Sequence, residues 1–333
     1  MEFTTDTAIQ VRFPGLFDLQ VNGFGGVDFN NPRTTELEFL RSIEALRERG
    51  VTRFLPTLIT SSAGNFARCA KNLTCLHHPA IAGIHMEGPY VSAEDGPRGA
   101  HPREHIAAAS IEDFLRRQGE TGGGIRLVTL APEIPGALLL TEYLVAHGVR
   151  VAIGHSAASP GQIRDAVKAG ATLSTHLGNG CANPLPRHPN LIWEQLSTDE
   201  LFASFIVDGQ HLPPATVKAM IRAKTSSRAI LVTDAISAAG CPPGEYELGG
   251  EPVVLSVEGR VSPPGKPWLA GSAITLDQAV ANTVKFTGLS LEEVLPMASD
   301  RPAEYLGLKP AGHVSADWNA AGCRLTKLKV FDP

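Results

Sequence analysis

The chain has 333 residues, of which 43% are hydrophobic, and this supply of apolar side chains is enough for the core of one large domain. A formal charge of −5 and an isoelectric point near 6.1 argue against a nucleic-acid-binding protein, which would normally carry a basic face. Five cysteines without a CxxC spacing, no apolar run long enough to cross a bilayer, and no secretion signal in residues 1–11 lead us to expect a cytoplasmic protein without a membrane partner.

Short runs rich in aliphatic and β-branched residues recur along the chain and have the length of buried strands. We predict eight of them, at residues 16–20, 52–57, 81–87, 126–130, 149–153, 171–174, 202–207 and 229–233. Amphipathic helical patterns lie between them, among others at residues 35–49, 63–76, 136–147, 159–169 and 213–223. Strands that alternate with helices favour parallel βαβ units, and eight such units predict a closed (β/α)8 TIM barrel. An open doubly wound sheet is the alternative, but no glycine-rich phosphate turn leads from the first strand into a helix.

The last part of the chain predicts a small addition to the barrel. Residues 276–286 and 291–306 have helical patterns, and residues 323–330 alternate in the manner of a strand. We expect the tail to pair with residues near 9–11 as a small sheet beside the barrel. The predicted domains are a barrel over residues 12–308 and a reduced β-rich flank from residues 1–11 and 309–333.

Polar side chains follow the ends of several predicted strands. They are Glu87 at the third, His155 after the fifth, His176 after the sixth, Asp208 and His211 after the seventh, and Asp234 after the eighth. Because active sites of such barrels lie at the carboxyl ends of the strands, we expect these side chains to meet there. One carboxylate and two imidazoles (Glu87, His155 and His176) are a ligand set for Zn²⁺ or a similar ion. Asp234 could accept a proton from an attacking water and return it to a departing amine.

Seven short strings in chain order carry a family resemblance: FDLQVNG (17–23), HMEGP (85–89), GHS (154–156), THL (175–177), DGQH (208–211), TDA (233–235) and LAGS (269–272). Over about residues 14–308 the chain resembles the N-acetylglucosamine-6-phosphate deacetylases of the amidohydrolase superfamily. The resemblance implies a barrel of the metal-dependent hydrolase type. It also implies hydrolysis of N-acetylglucosamine 6-phosphate to glucosamine 6-phosphate and acetate, in amino-sugar catabolism.

The resemblance further implies roles for single residues. These are Glu87, His155 and His176 as metal ligands, Asp234 as the catalytic acid and base, His101 as the group that polarises the substrate carbonyl, His211 as a sugar contact, Arg187 as the phosphate-binding residue, and the backbone around Asn179 and Gly180 as part of the same pocket. A guanidinium fork suits a phosphate well. A homodimer whose partner subunit helps to bind the phosphate is also implied.

The number of metal ions is predicted from the end of the first strand. Many amidohydrolases carry His-x-His there and bind two metals, whereas the equivalent positions here are Gln20 and Asn22, neither of them a strong zinc ligand. We therefore expect one divalent ion. Zinc is the foremost candidate, and the same ligands accept iron, cobalt or manganese.

Two other functions remain open. The family reads Leu-Tyr-Asn-Ala-Met after the second histidine ligand, but residues 177–181 read Leu-Gly-Asn-Gly-Cys. The substrate could therefore be another N-acetylated sugar, or an N-acyl amino acid. The chain could also be a non-catalytic sugar-phosphate-binding barrel, although the retention of Asp234 together with all three candidate ligands argues against this.

Overall fold

The computed structural model describes residues 8–332. Its strands are β1 (Ile9–Pro14), β2 (Leu16–Val21), β3 (Gly23–Phe24), β4 (Val27–Asp28), β5 (Val51–Ile59), β6 (Ile84–Glu87), β7 (Ile125–Leu130), β8 (Arg150–Ile153), β9 (Leu173–Ser174), β10 (Phe202–Phe205), β11 (Ala229–Leu231), β12 (Gly244–Leu248), β13 (Glu251–Leu255), β14 (Val261–Ser262), β15 (His313–Asn319) and β16 (Arg324–Phe331). Its α-helices are α1 (Glu36–Glu48), α2 (Ala63–Thr74), α3 (Ile111–Glu120), α4 (Ala137–Ala146), α5 (Pro160–Lys168), α6 (Leu191–Ser197), α7 (Pro214–Lys224), α8 (Leu276–Thr287), α9 (Leu291–Val294) and α10 (Asp300–Tyr305). In this described part, none of the helices combines the length and the apolar composition needed to cross a membrane.

Eight parallel strands form the central sheet. Their spatial order, β2-β5-β6-β7-β8-β9-β10-β11, is also their order along the chain. The seam between the last and the first strand is closed by backbone contacts just beyond the ladder, where the Asn22 N–H donates to the carbonyl oxygen of Ala235 at 2.7 Å. The chain is therefore a (β/α)8 barrel, and the eight predicted strands are confirmed.

The predicted helices are confirmed with one exception. Helix α1 begins with a capping box, in which the Glu38 carboxylate accepts from the Thr35 N–H at 2.7 Å, and it buries its apolar face against the barrel wall. The exception is the single helix predicted at residues 291–306, which is α9, a short 3-10 segment (Leu295–Ala298) and α10. Pro296 has no N–H to donate to the preceding turn, so a continuous helix is interrupted there.

An aromatic cluster fills the space between α1 and the barrel. The ring centroid of Phe29 lies 5.2 Å from that of Phe39 and 6.0 Å from that of Phe54, and all three side chains are fully buried. Such pairs add to the free energy gained from burying the rings themselves. This cluster fixes α1 against β5, whose carboxyl end lies at the rim of the barrel.

Phe54→Ala is expected to lower the free energy of unfolding by about 3–5 kcal/mol, because it leaves a cavity in this cluster. Denaturant unfolding followed by circular dichroism measures the change. The control is Leu37→Ala, on the exposed face of α1 with 64% of its side chain accessible, which should shift stability by no more than about 0.5 kcal/mol. Equal losses in the two variants would contradict the packing role of Phe54.

The tail forms a small antiparallel sheet with the start of the described chain. Strand β1 pairs with β15, which places Val11 opposite Ala316, and β15 pairs in turn with β16. The tail thus reaches residues 9–11 as predicted, but through β15, with the predicted strand at 323–330 on its far side. Residues 1–7 and 333 of the predicted flank lie outside the described residues. The division into a barrel at 12–308 and a flank remains a proposal.

A second antiparallel sheet, β12-β13-β14, was not predicted from the sequence. Its buried side chains, among them Leu248 and Val253, pack against Ile59 at the end of β5 and Ile236 after β11. It therefore covers part of the carboxyl rim of the barrel. The signal for it was present: the pair Gly249-Gly250 separates the alternating run Gly244–Leu248 from the run Glu251–Leu255, which is rich in aliphatic residues, and this is a hairpin pattern.

Candidate active site

Glu87, His155 and His176 meet at the carboxyl rim of the barrel. Glu87 ends β6, and the two histidines follow β8 and β9. The Glu87 Oε1 atom lies 3.2 Å from the Nε2 atom of each histidine, and the two Nε2 atoms are 3.1 Å apart. All three side chains are buried. The three are thus a compact group that could hold a metal ion.

The donor atoms of this group fit a divalent cation. The Nδ1 atom of His155 lies 2.9 Å from the carbonyl oxygen of Pro97, so that it carries a hydrogen and, in the neutral ring, leaves the lone pair of Nε2 directed at the group. Burial acts to raise the pKa of Glu87, but hydrogen bonds and charge from His155 and His176 hold it well below its ordinary value. An ionised carboxylate and inward-facing imidazole nitrogens are the atoms that zinc and similar ions bind.

The backbone at three of the predicted site residues lies in the left-handed region, with φ of 49° at His155, 31° at His176 and 51° at Asp234. Such values are uncommon outside glycine and cluster where a side chain must be turned toward a site. Each of these residues follows the end of a barrel strand, so the turn directs the side chain inward over the rim. Gly180 also has a positive φ, and a Cβ atom there would lie 2.9 Å from Nδ1 of His155.

Asp234 is connected to the candidate metal-ligand group through Gln20. The Gln20 side-chain Nε2 donates to Glu87 Oε1 at 2.8 Å and to Asp234 Oδ1 at 3.0 Å, and Asn22 Nδ2 donates to the same Asp234 oxygen at 2.7 Å. Burial, together with the negative charge of Glu87, raises the pKa of Asp234 to about 6. A carboxyl group with a pKa near neutrality can both accept and return a proton.

Asp18, which the sequence analysis did not identify as a site residue, is hydrogen-bonded to the segment after β11 that carries Asp234. The Thr233 hydroxyl donates to Asp18 Oδ2 at 2.6 Å, and the Ala235 N–H donates to the Thr233 hydroxyl oxygen at 3.1 Å. Burial raises the pKa of Asp18 to about 7. These bonds hold the backbone on both sides of Asp234 in place.

His101 and His211 lie on the walls of the same cavity. The ring centroid of His101 lies 4.1 Å from that of His155, and its Nδ1 atom is 2.7 Å from the Thr60 hydroxyl oxygen. Burial holds the pKa of His101 well below its ordinary value, so the ring is neutral near pH 7. The Nδ1 atom of His211 lies 2.6 Å from Asp208 Oδ2, which fixes the orientation of that ring.

The cavity, of about 560 Å³, brings together all but one of the predicted site residues. Those that line it are Glu87, His101, His155, His176, Asn179, Gly180, His211 and Asp234. Arg187 is exposed on the loop before α6 and is not among the lining residues. Two lining residues that the sequence analysis missed, Arg260 and Trp268, are carried by the β12-β13-β14 sheet and the segment after it.

The amidohydrolase family model matches residues 11–320 of the chain. The chain belongs to the amidohydrolase family. This family is metal-dependent, in agreement with the candidate metal site formed by one glutamate and two histidines.

Related amidohydrolases cover most of the chain. It is 34% identical over 90% of its length to the N-acetylglucosamine-6-phosphate deacetylase of Bacillus subtilis, of which it covers 76%. It is also 34% identical over 91% of its length to the N-acetylgalactosamine-6-phosphate deacetylase of a Shewanella species, of which it covers 77%. The solved N-acetyl-D-glucosamine-6-phosphate deacetylase from Mycobacterium smegmatis superimposes with a TM-score of 0.88 at 30% identity, covering 96% of this chain and 86% of that one.

Proposed function

We propose that this amidohydrolase removes the acetyl group from N-acetylglucosamine 6-phosphate, giving glucosamine 6-phosphate and acetate. The observation that carries the proposal is the Gln20 amide, which joins the candidate metal ligand Glu87 to the buried Asp234 in one cavity. A metal site and a carboxyl group that can transfer a proton, joined through one side chain, are the two parts that hydrolysis of an unactivated amide needs. The names of the relatives supply the substrate.

In this proposal Glu87, His155 and His176 hold one divalent ion, with zinc the first candidate and iron, cobalt or manganese as alternatives. When bound, such an ion polarises an amide carbonyl and lowers the pKa of a water molecule. The side-chain amide groups of Gln20 and Asn22 already donate hydrogen bonds to the carboxylates of Glu87 and Asp234, respectively. This arrangement favours one ion over two. Elemental analysis of purified protein would identify the ion.

The chain's own residues would then move the proton. The Gln20 and Asn22 amides hold the carboxylate of Asp234 in place. Asp234 accepts the proton from the attacking water and delivers it to the sugar nitrogen as the C–N bond breaks. His101, neutral and on the cavity wall, donates a hydrogen bond to the carbonyl oxygen as negative charge develops there.

His101→Ala is expected to lower kcat by about 10²-fold, because a hydrogen bond to the developing oxyanion is lost, with metal content unchanged. Steady-state acetate release and elemental analysis measure the two quantities. His105→Ala, on the short 3-10 segment that follows in the chain, serves as the control and should be near wild type. A His101→Ala enzyme with a kcat within about threefold of wild type would remove His101 from the mechanism.

The substrate is tested by measuring acetate release from N-acetylglucosamine 6-phosphate and from unphosphorylated N-acetylglucosamine, using metal-loaded protein. Activity on the phosphorylated sugar alone is the expected result. Equal activity on both sugars would remove the phosphate requirement but keep the hydrolase. No release from either would contradict the proposal and favour an N-acyl amino acid or a non-catalytic role.

N-acetylgalactosamine 6-phosphate is a second candidate substrate. Relatives with both substrate names match the chain at 34% identity, and Gly178, Gly180 and Cys181, which differ from the deacetylase pattern, line the cavity. The two sugars differ in the orientation of one hydroxyl group. Their kcat/KM values in the same assay would decide between them.

The role of Arg187 and the homodimer remain proposals. Arg187 is exposed and does not line the cavity of its own chain, so it could bind phosphate only after the loop moves or from the partner subunit of a dimer. Light scattering would measure the oligomeric state. A cytoplasmic location is also proposed, since the five cysteines are free thiols.

A further inference from the structure

The carboxylate of Glu133 accepts two short hydrogen bonds from the segment that directly follows the candidate ligand His155. Its Oε2 atom accepts from the Ser156 hydroxyl at 2.7 Å, and its Oε1 atom accepts from the Ala157 N–H at 2.6 Å. Glu133 follows the end of β7, and β7 is the neighbour of β8, the strand that precedes His155. The two bonds therefore join the ends of two adjacent barrel strands at the carboxyl rim.

Glu133 depends on these two bonds because it is partly removed from water. The side chain is half-buried, and burial raises the pKa of its carboxyl group, while the hydrogen bonds from Ala157 and Ser156 act to lower it. Hydrogen bonds to an ionised acceptor are roughly twice as strong as those between neutral groups. A carboxylate without partners at this place would be unfavourable, so the side chain is held firmly to the segment after His155.

Ser156 connects Glu133 to the rest of the rim. While its hydroxyl hydrogen is donated to Glu133, the hydroxyl oxygen accepts from the Ala158 N–H at 2.9 Å. The Ser156 N–H donates to the carbonyl oxygen of Gly180 at 3.0 Å. Gly180 belongs to the loop at 178–181, which lines the candidate cavity. Glu133 thus stabilises both the turn after β8 and the position of this loop.

His155 has a backbone conformation that its surroundings must hold. Its φ of 49° is unfavourable outside glycine and persists only where neighbouring contacts fix it. Its carbonyl oxygen accepts from the Ser92 N–H at 2.9 Å. The imidazole lies between two glycines, since a Cβ atom would be 3.3 Å from Cε1 at Gly99 and 2.9 Å from Nδ1 at Gly180. The direction of the ring therefore follows from the turn and from the two loops beside it.

We propose that Glu133 is a positioning residue for the candidate metal site, and that it orients the His155 imidazole through residues 156–158. Its carboxylate fixes Ser156 and Ala157, and the turn they form directs Nε2 of His155 toward Glu87. Side chains that orient metal ligands in this way change metal affinity by about 10- to 100-fold when they are removed. The inference rests on the proposed function, because it takes Glu87, His155 and His176 as the ligands.

The test is the affinity of the metal-free protein for Zn²⁺, measured by competition with a chromophoric chelator in wild type and in Glu133→Gln. The glutamine has the same size and can accept from the Ala157 N–H, but its amide nitrogen cannot accept from the Ser156 hydroxyl. We expect the Kd for Zn²⁺ to rise by about 10-fold or more. Glu142→Gln, on the exposed side of α4, is the matched control and should leave the Kd unchanged.

Two further readouts separate positioning from a general loss of stability. The kcat for acetate release at saturating Zn²⁺ should stay within about threefold of wild type, because Glu133 is not among the described residues that line the cavity. A merely structural role would lower the unfolding midpoint of the metal-free protein and leave the Kd for Zn²⁺ unchanged.

Ser156→Ala removes the same hydrogen bond from its other partner, and it carries the test if Glu133→Gln does not fold. Its Kd for Zn²⁺ should rise in the same direction. The effects of the two substitutions on the free energy of zinc binding should not add in the double variant, because both remove one shared bond. Additive effects would contradict the proposed connection.

A Kd for Zn²⁺ within about threefold of wild type in folded Glu133→Gln or Ser156→Ala would overturn the inference while the proposed function stands. A wild-type protein that binds no Zn²⁺ would overturn it together with the proposed ligand set. If wild type binds Zn²⁺ but releases no acetate, the proposed function fails, and the Kd values still decide the role of Glu133.

Discussion

Asp234→Asn is expected to lower kcat for acetate release by about 10³- to 10⁴-fold while the metal content stays that of wild type. An asparagine fills the same volume and keeps one oxygen to accept the Gln20 and Asn22 amides, but it cannot take up a proton. The proposed metal ligands Glu87, His155 and His176 are not altered by the change. The loss should therefore fall on proton transfer alone.

Steady-state kinetics with metal-loaded protein and elemental analysis of the same sample measure this prediction together. Asp165→Asn, a carboxylate on the exposed side of α5, is the control for the loss of one negative charge. Retention of more than about a tenth of the wild-type kcat would show that another group transfers the proton. A loss of metal in Asp234→Asn would show instead that Asp234 helps to hold the ion.

His176→Ala is expected to remove most of the bound metal and to lower acetate release by more than about 10³-fold. The substitution deletes one of the three proposed ligand atoms, and the Nε2 atom it removes is 3.1 Å from that of His155 and 3.2 Å from Glu87 Oε1. Two ligands that remain on a rigid rim hold an ion far more weakly than three.

Metal per chain, measured on protein expressed and purified in parallel with wild type, is the first readout. The second is activity after removal of the ion with a chelator and its return, which should restore wild type but not His176→Ala. His147→Ala, an exposed histidine at the end of α4, is the matched control. Full metal content and full activity in His176→Ala would contradict the proposed ligand set.

The barrel could be predicted because its signals are local. Each buried strand is a short run of mainly apolar residues, and each polar residue of the rim ends such a run or follows it within a few residues, as Glu87 ends β6. The parallel barrel then requires that residues after the strands share one rim. The positions of the candidate ligands thus follow from the strand pattern and the topology, without knowledge of any side-chain contact.

What the sequence did not predict depends on contacts between distant segments. Gln20 was identified only as a weak ligand, yet its amide bridges Glu87 and Asp234, which lies 214 residues further along the chain. Arg260 reaches the cavity because a hairpin sheet folds over the rim, and its hairpin signal does not reveal which surface it will cover. Arg187 was expected from the family resemblance alone, and a match in sequence does not fix where the side chain of an exposed loop residue points.

The candidate site has two parts that depend differently on the closure of the barrel between β11 and β2. Glu87, His155 and His176 belong to strands that are near neighbours within the continuous sheet, from β6 to β9. Asp234 follows the last strand and takes both of its amide donors from the end of the first, across the closure. An open barrel would keep the three proposed ion ligands together but would leave Asp234 without its hydrogen bonds from Gln20 and Asn22. On the proposed roles, opening of the seam would therefore impair proton transfer by Asp234 before it released the ion.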